Sequence, residues 1–262
     1  MTAIGTPQAL TPQPVPLRPA ATLLLVVDDP FRVLMVQRSA QGFFPSALVF
    51  PGGTLDPDDH GAEWLTHAAG HDGLEAESRA LRIAAWRETW EETGLAPHGT
   101  APAAGRPHLR DALHLAGARL DLGSTVPFGR WVTPETVAKR YDTHFFIAAA
   151  PAPFEPAVDG HEIVAAHWLE PREVIARSEG GDRSILFSTL ANLHLLAESR
   201  SVAEALDAAS ARPVIPAYPR REELGGEVWV SIPESCGYPL SRMRFAQVQV
   251  QVEQLTTPAK NI

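Results

Sequence analysis

Apolar residues follow two rhythms along this chain, and the change from one to the other marks out its elements. Residues 21 to 27 are almost continuously aliphatic, and a second such run lies within residues 32 to 37. The intervening Asp-Asp-Pro-Phe has turn composition, so the two runs predict strands joined by a hairpin. Residues 47 to 50 predict a short third strand, closed by Pro51-Gly52-Gly53. Runs that are apolar at every position, rather than every second one, predict a sheet covered on both faces.

A helical period takes over between residues 74 and 93, and Gly94 stands where a left-handed C-cap belongs. The Asp-, His- and Gly-rich stretch before it, 54 to 73, holds at most a short helix around 63 to 68. Further on, 108 to 118, the stretch opened by Pro171, 185 to 198 and 202 to 209 predict helices. Residues 128 to 132, 143 to 149, 163 to 169, 227 to 232 and 245 to 252 predict strands. Elements mixed in this order predict an α/β or α+β sandwich. The Pro-rich residues 1 to 19 predict a mobile tail. A main domain over 20 to 200 leaves 201 to 262 as a C-terminal extension, packed on that domain or separate from it.

The helix at 74 to 93 carries the most pointed chemistry. At about 100° of rotation per residue, Glu88, Glu91 and Glu92 share one face, and Ile83, Trp86 and Trp90 fall nearly opposite. A charge run on a helix is most often a solvated face, and Arg87 with Glu91 is an ordinary i,i+4 pair. The placement is nevertheless unfavourable. Glu88 and Glu92 are like charges at i,i+4, which costs roughly 0.2–0.5 kcal/mol. All three acids also lie near the negative end of the helix dipole, where each costs roughly 0.3–1 kcal/mol. A bound cation would reverse both terms, and hard carboxylate oxygens suit Mg²⁺ or Mn²⁺. Gly53 adds a backbone that can approach a ligand closely.

Composition narrows the field. A net charge of −9 argues against a phosphate-backbone binder. One cysteine, Cys236, rules out an intrachain disulfide and fits a reducing, cytoplasmic setting. The apolar run at 20 to 27 is too short to span a bilayer. The expected partner is therefore a small molecule rather than nucleic acid or membrane, and a homodimer is left open.

Phe50-Pro-Gly-Gly53 and Arg87-Glu-Thr-Trp-Glu-Glu-Thr-Gly-Leu95 together resemble the signature box of the Nudix hydrolases. Arg87 to Leu95 matches the second half of that box, with Thr89 in an apolar slot, and Gly53 matches its opening glycine. Two departures stand out. Residues 54 to 86 separate Gly53 from Arg87, 33 positions where the family usually has thirteen. The first glutamate of the box has no clear counterpart, Asp59 being the better choice over Arg79. An insert inside the box, with Trp131-Val-Thr-Pro-Glu135 and Arg140-Tyr-Asp-Thr-His-Phe-Phe146 downstream, is similar to the branch of the peroxisomal coenzyme A diphosphatase.

The resemblance implies a Nudix-type α-β-α sandwich with a mixed sheet, plus extra C-terminal helices and tail. It implies metal-dependent hydrolysis of a nucleoside diphosphate derivative, with coenzyme A or acyl-CoA leading. NADH, nucleotide sugars and dinucleotides are the alternative substrates, and a non-catalytic nucleotide-binding protein is the alternative outside enzymes. Glu88, Glu91, Glu92 and the Gly53 carbonyl would hold the metal, and Arg87 would orient the acids. For the base, a box glutamate competes with Glu162, a loop acid just before a strand. Arg38, Arg140, Tyr141 and His144 are the substrate-contact candidates. Phe43 and Phe44 are weaker candidates for stacking a base, and Phe145 and Phe146 read as core.

Overall fold

The computed structural model describes residues 15–41, 44–135, 137–158, 160–248 and 253. A seven-stranded mixed sheet runs through the middle. Its main path is Ile163–Leu169, Arg32–Arg38, Leu17–Val27, Arg140–Ala149 and Val126–Val132. Two short strands, Leu48–Val49 and Gly52–Thr54, join Arg32–Arg38 and Leu17–Val27 respectively. Leu17–Val27 runs parallel to Arg140–Ala149, and the other pairs of this sheet are antiparallel.

Side chains alternate across a strand, so a strand that is apolar throughout must feed two cores. Leu24 and Val26 enter one cluster with Phe145, Ile147, Trp131 and Phe187. Leu23 and Leu25 enter the other with Phe146, Ile83, Trp86 and Trp90. The long helix Ala76–Thr93 covers the second face. Helices Pro171–Glu179, Phe187–Leu196 and Val202–Ala211 cover the first. The α-β-α sandwich expected from the sequence is the fold observed.

The C-terminal residues Val230, Ile232, Cys236, Tyr238 and Met243 belong to the first cluster. Tyr238 anchors them: its hydroxyl accepts a 3.0 Å bond from the Trp131 indole and lies 3.4 Å from Asn192 Oδ1. That hydroxyl occupies the space where a Cβ on Gly129 would stand. Pro219 leads into a three-stranded hairpin sheet, Arg220–Leu224, Glu227–Ser231 and Arg242–Arg244.

Several boundaries move. The first strand begins at Leu17 rather than Ala21, because Leu17 to Pro19 pair with Arg140 to Asp142. The rest of the expected mobile tail, residues 1–14, lies outside the described residues. The strand expected at 245 to 252 is not there. Arg242–Arg244 forms the strand and residues 245 to 248 turn helical, while 249 to 252 lie outside the described residues. Arg220–Leu224 went unread because its five residues are all exposed and mostly charged. Its signal was the Gly225-Gly226 pair, both at positive φ (60° and 81°), a preferred two-residue hairpin turn. Among the described residues no helix is long and apolar enough to cross a membrane.

Candidate active site at the glycine strand

Helix Ala76–Thr93 ends at Gly94, whose φ of 70° and N–H bond to the Trp90 carbonyl (2.7 Å) close a left-handed cap. The cation that helix-dipole arguments demand at this end comes from outside the helix. Arg106 donates to the carbonyls of Trp90 (3.0 Å) and Glu91 (2.7 Å), and also to those of Ala101 and Ala157. The acids are thus held at an end whose exposed carbonyls already have a counter-charge.

Arg87 organises the acids. Its guanidinium grips Asp59 through two parallel bonds of 2.9 Å each, and donates to Glu88 and Glu91 at 3.0 Å and to the Thr54 carbonyl at 3.0 Å. Asp59 is fully buried and also accepts the Asp56 N–H at 2.8 Å. Burial lowers the Arg87 pKa, and its bond and attraction to Asp59 with the charges of Glu88 and Glu91 more than reverse this. Asp59, the better of the two choices for the first acid of the box, is thus the acid that Arg87 meets. The insert folds back so that Asp59 meets Arg87.

Glu88 sits under the strand Gly52–Thr54. A Cβ at Gly53 would collide with the Glu88 carboxyl group, so only glycine permits this approach. Beside it, Glu92 accepts the Gly52 N–H at 3.1 Å. Burial pushes the Glu88 carboxyl up, against the pull of Arg87. Burial pushes Glu92 up further, repulsion from Glu88 adds to it, and the Gly52 N–H and Arg38 only partly oppose it. Glu91 is the odd member: its side chain is 46% exposed and turned to Arg87. Among the described residues no three acidic, His or Cys groups converge on one point, and Arg87 holds oxygens of both Glu88 and Glu91. The donor set still suits a hard divalent ion, since two desolvated carboxylates repel each other where a cation would neutralise both.

A cleft of about 1130 Å³ opens over this end of the sheet. Gly52, Gly53, Thr54 and Glu88 line one end. Of the substrate-contact candidates, Arg38 and Tyr141 line it, as do Phe44 and the base candidate Glu162. Arg38 donates to Glu162 at 2.7 Å, which joins two residues proposed for separate roles. Arg140 and His144 are not part of the lining. Alternation along Arg140–Ala149 turns Tyr141 and Thr143 to the cleft side with Phe145, and Arg140, Asp142 and His144 to the other. Arg140 reaches toward the carbonyls of Thr133 and Val15 and toward Glu135. His144 lies 3.4 Å from Asp142, which takes a two-bond grip from Arg130. Phe43 lies outside the described residues. Sequence reasoning missed the cleft's other end, which comes from the C-terminal extension: Pro219, Val230, Phe245 and Val248.

Comparison with known proteins gives the family and the fold. The profile described as NUDIX domain matches residues 16–188. A NUDIX hydrolase of known structure from Alicyclobacillus acidocaldarius is 30% identical, with a TM-score of 0.65, covering 76% of this chain and 99% of that one. Acyl-coenzyme A diphosphatase NUDT19 of Homo sapiens is 29% identical over 204 residues, 55% of this chain and 54% of that protein. Its Gallus gallus counterpart is 29% identical over 273 residues, 71% of this chain and 72% of that protein. The chain thus spans about half the length of the human relative. On the matched profile, the sandwich fold and the glutamate site against Gly53, the chain belongs to the Nudix hydrolase family.

Proposed function

We propose that this protein hydrolyses the diphosphate linkage of coenzyme A or its acyl esters with the help of Mg²⁺ or Mn²⁺. One observation carries the reading: the Glu88 carboxylate occupies the slot that Gly53 leaves open and faces a large cleft, with Glu92 beside it and short of positive charge. The coenzyme A choice rests on the relatives named acyl-coenzyme A diphosphatase and on the cleft's size, which exceeds what a nucleoside diphosphate alone would fill.

Glu88, Glu91, Glu92 and the Gly53 carbonyl would hold the divalent ion. Bound there, it would supply charge neutralisation for the diphosphate oxygens and a more acidic water. Arg87 keeps Glu88 and Glu91 aimed by gripping buried Asp59 on its other side. Glu162 takes the proton of the attacking water, oriented by its 2.7 Å bond to Arg38. Tyr141 lines the cleft wall, where it would contact the substrate. The buried, unpaired Cys236 is consistent with work in a reducing compartment such as the cytoplasm.

The test is a panel of diphosphate compounds (coenzyme A, acyl esters, NADH, nucleotide sugars and dinucleotides) with Mg²⁺ and Mn²⁺, alongside Glu92→Gln. Coenzyme A compounds should turn over fastest, and the variant should lose kcat by about 10²-fold or more. Metal-dependent turnover of NADH or a nucleotide sugar instead would move the substrate. No turnover of any compound would sink the enzymatic reading. Glu162→Gln should lose about 10²-fold in kcat, and a loss below about tenfold would remove it as the base.

A further inference from the structure

The cleft has two chemically unlike ends, one of glycines and a glutamate and one built mostly of apolar side chains. Gly53 pairs with Ala21, Ala21 with His144, and His144 with Arg130. Ala217 continues the same row by donating to the Arg130 carbonyl at 2.8 Å. Four strand spacings therefore separate the glutamate end from the root of the C-terminal extension, roughly 19 Å. A diphosphate with its metal fills only the first part of that span. Beyond it most of the lining is apolar, with Trp131, Pro134, Val137, Phe187, Val230 and Phe245, and Thr133, Arg220 and Arg221 stand among them. Trp131, Phe187 and Val230 are also members of the core cluster under the extension, so this wall is backed by packed structure rather than by a loose surface. Phe245 is held by Arg221, whose guanidinium stands 4.5 Å from the ring centroid and which lines the cleft beside it.

We infer that the far end of the cleft, walled by the C-terminal extension, is a subsite for an apolar chain carried on a flexible arm of the substrate. A fatty acyl group at the end of a pantetheine arm has the required chemistry. Its phosphate end is anionic, its linker is long enough to leave the glutamate site, and its tail gains by leaving water. This rests on the coenzyme A reading above and adds what that reading lacks, a reason for the extension to sit where it does. A free nucleoside diphosphate or a nucleotide sugar has no apolar segment to place there.

The experiment is a chain-length series on the full protein: free, acetyl-, hexanoyl- and dodecanoyl-coenzyme A, each below its micelle concentration, with Phe245→Asp as the variant. In the natural sequence KM should fall with chain length, by roughly threefold to fourfold for each methylene fully buried, and level off once the chain outgrows the cleft. In Phe245→Asp the ratio of kcat/KM for dodecanoyl-coenzyme A over free coenzyme A should drop at least tenfold. Because both substrates are measured on one sample, that ratio is insensitive to any loss of folded protein. A KM independent of chain length, or an unchanged ratio in the variant, would overturn the subsite while leaving the coenzyme A reading intact. Absence of turnover on every coenzyme A compound would overturn both.

Discussion

The two walls of the cleft are built on opposite principles. The glutamate wall is a place of close electrostatic contacts: five bonds from one arginine, two acids raised by burial, and a glycine that cannot take on a methyl group. The extension wall is a place of packing, where Val230, Met243 and Val248 share a core with the sheet and Tyr238 provides a polar latch. The difference teaches where tolerance lies. At the electrostatic wall a small displacement of an acid costs activity before stability, and only the loss of its buried ion pair costs both, whereas the packed wall fails by loss of stability with graded effects on binding.

The sharpest break of that contrast is at Gly53. Replacing it with alanine forces the Glu88 carboxylate out of its slot, so kcat should fall by about 10²-fold while the thermal midpoint stays within a few degrees. Steady-state kinetics beside a melting curve checks both halves. Asp59→Ala comes next. It leaves Arg87 partly buried without its two-bond partner, and should cost about 3 kcal/mol of stability in urea unfolding. Asp59→Asn should retain part of that. An unchanged midpoint in Asp59→Ala would mean that the pair contributes nothing beyond solvent.

On the opposite wall, Gly129→Ala drives a methyl group into the Tyr238 hydroxyl. The expected loss is about 1–3 kcal/mol, with limited proteolysis cutting first within residues 212 to 248 rather than near the glutamates. The smallest effect belongs to Asp142. Burial acts to raise its pKa, but hydrogen bonds from His144 and Arg130 hold it well below the usual carboxylate range. A depressed folded value contributes stability above the unfolded pKa of about 3.9 and loses it as pH falls below that toward the folded value. Asp142→Asn should therefore cost about 1 kcal/mol near neutrality and flatten the fall in melting temperature below pH 4. It should leave KM unchanged, since the pair lies on the sheet face away from the cleft.

What the sequence disclosed tracks the same divide. The helix Ala76–Thr93 was legible because its period, its Gly94 cap and its misplaced acids are all local facts. The sandwich followed from strands without alternation. Asp59 was only half legible: its distance along the chain hid a contact that folding makes direct. Arg106 was not legible at all as the helix's counter-charge, because it arrives from a loop rather than from the last turn. Arg140 and His144 flank an apolar strand as Tyr141 does, and a one-residue step along that strand decides which face each one meets. The extension's contribution to the cleft depends on a long-range bridge between Trp131 and Ala217, which no local pattern encodes.

The grip of Arg87 on Asp59 and on the Thr54 carbonyl bears on where the chain can take extra length. It fastens the start of the box insert to the glutamate helix, and the insert is tied down again by Trp64 and Ala68 in the core and by the pairing of Ala68–Ala69 with Leu120–Asp121. Closing a longer excursion is inexpensive once its ends are fixed, each doubling in length costing about 0.6 kcal/mol. Added length therefore belongs in the exposed turn at Asp72 and Gly73, where nothing stands within 4 Å of a Cβ built on the glycine, while Arg87 and Asp59 stay in contact.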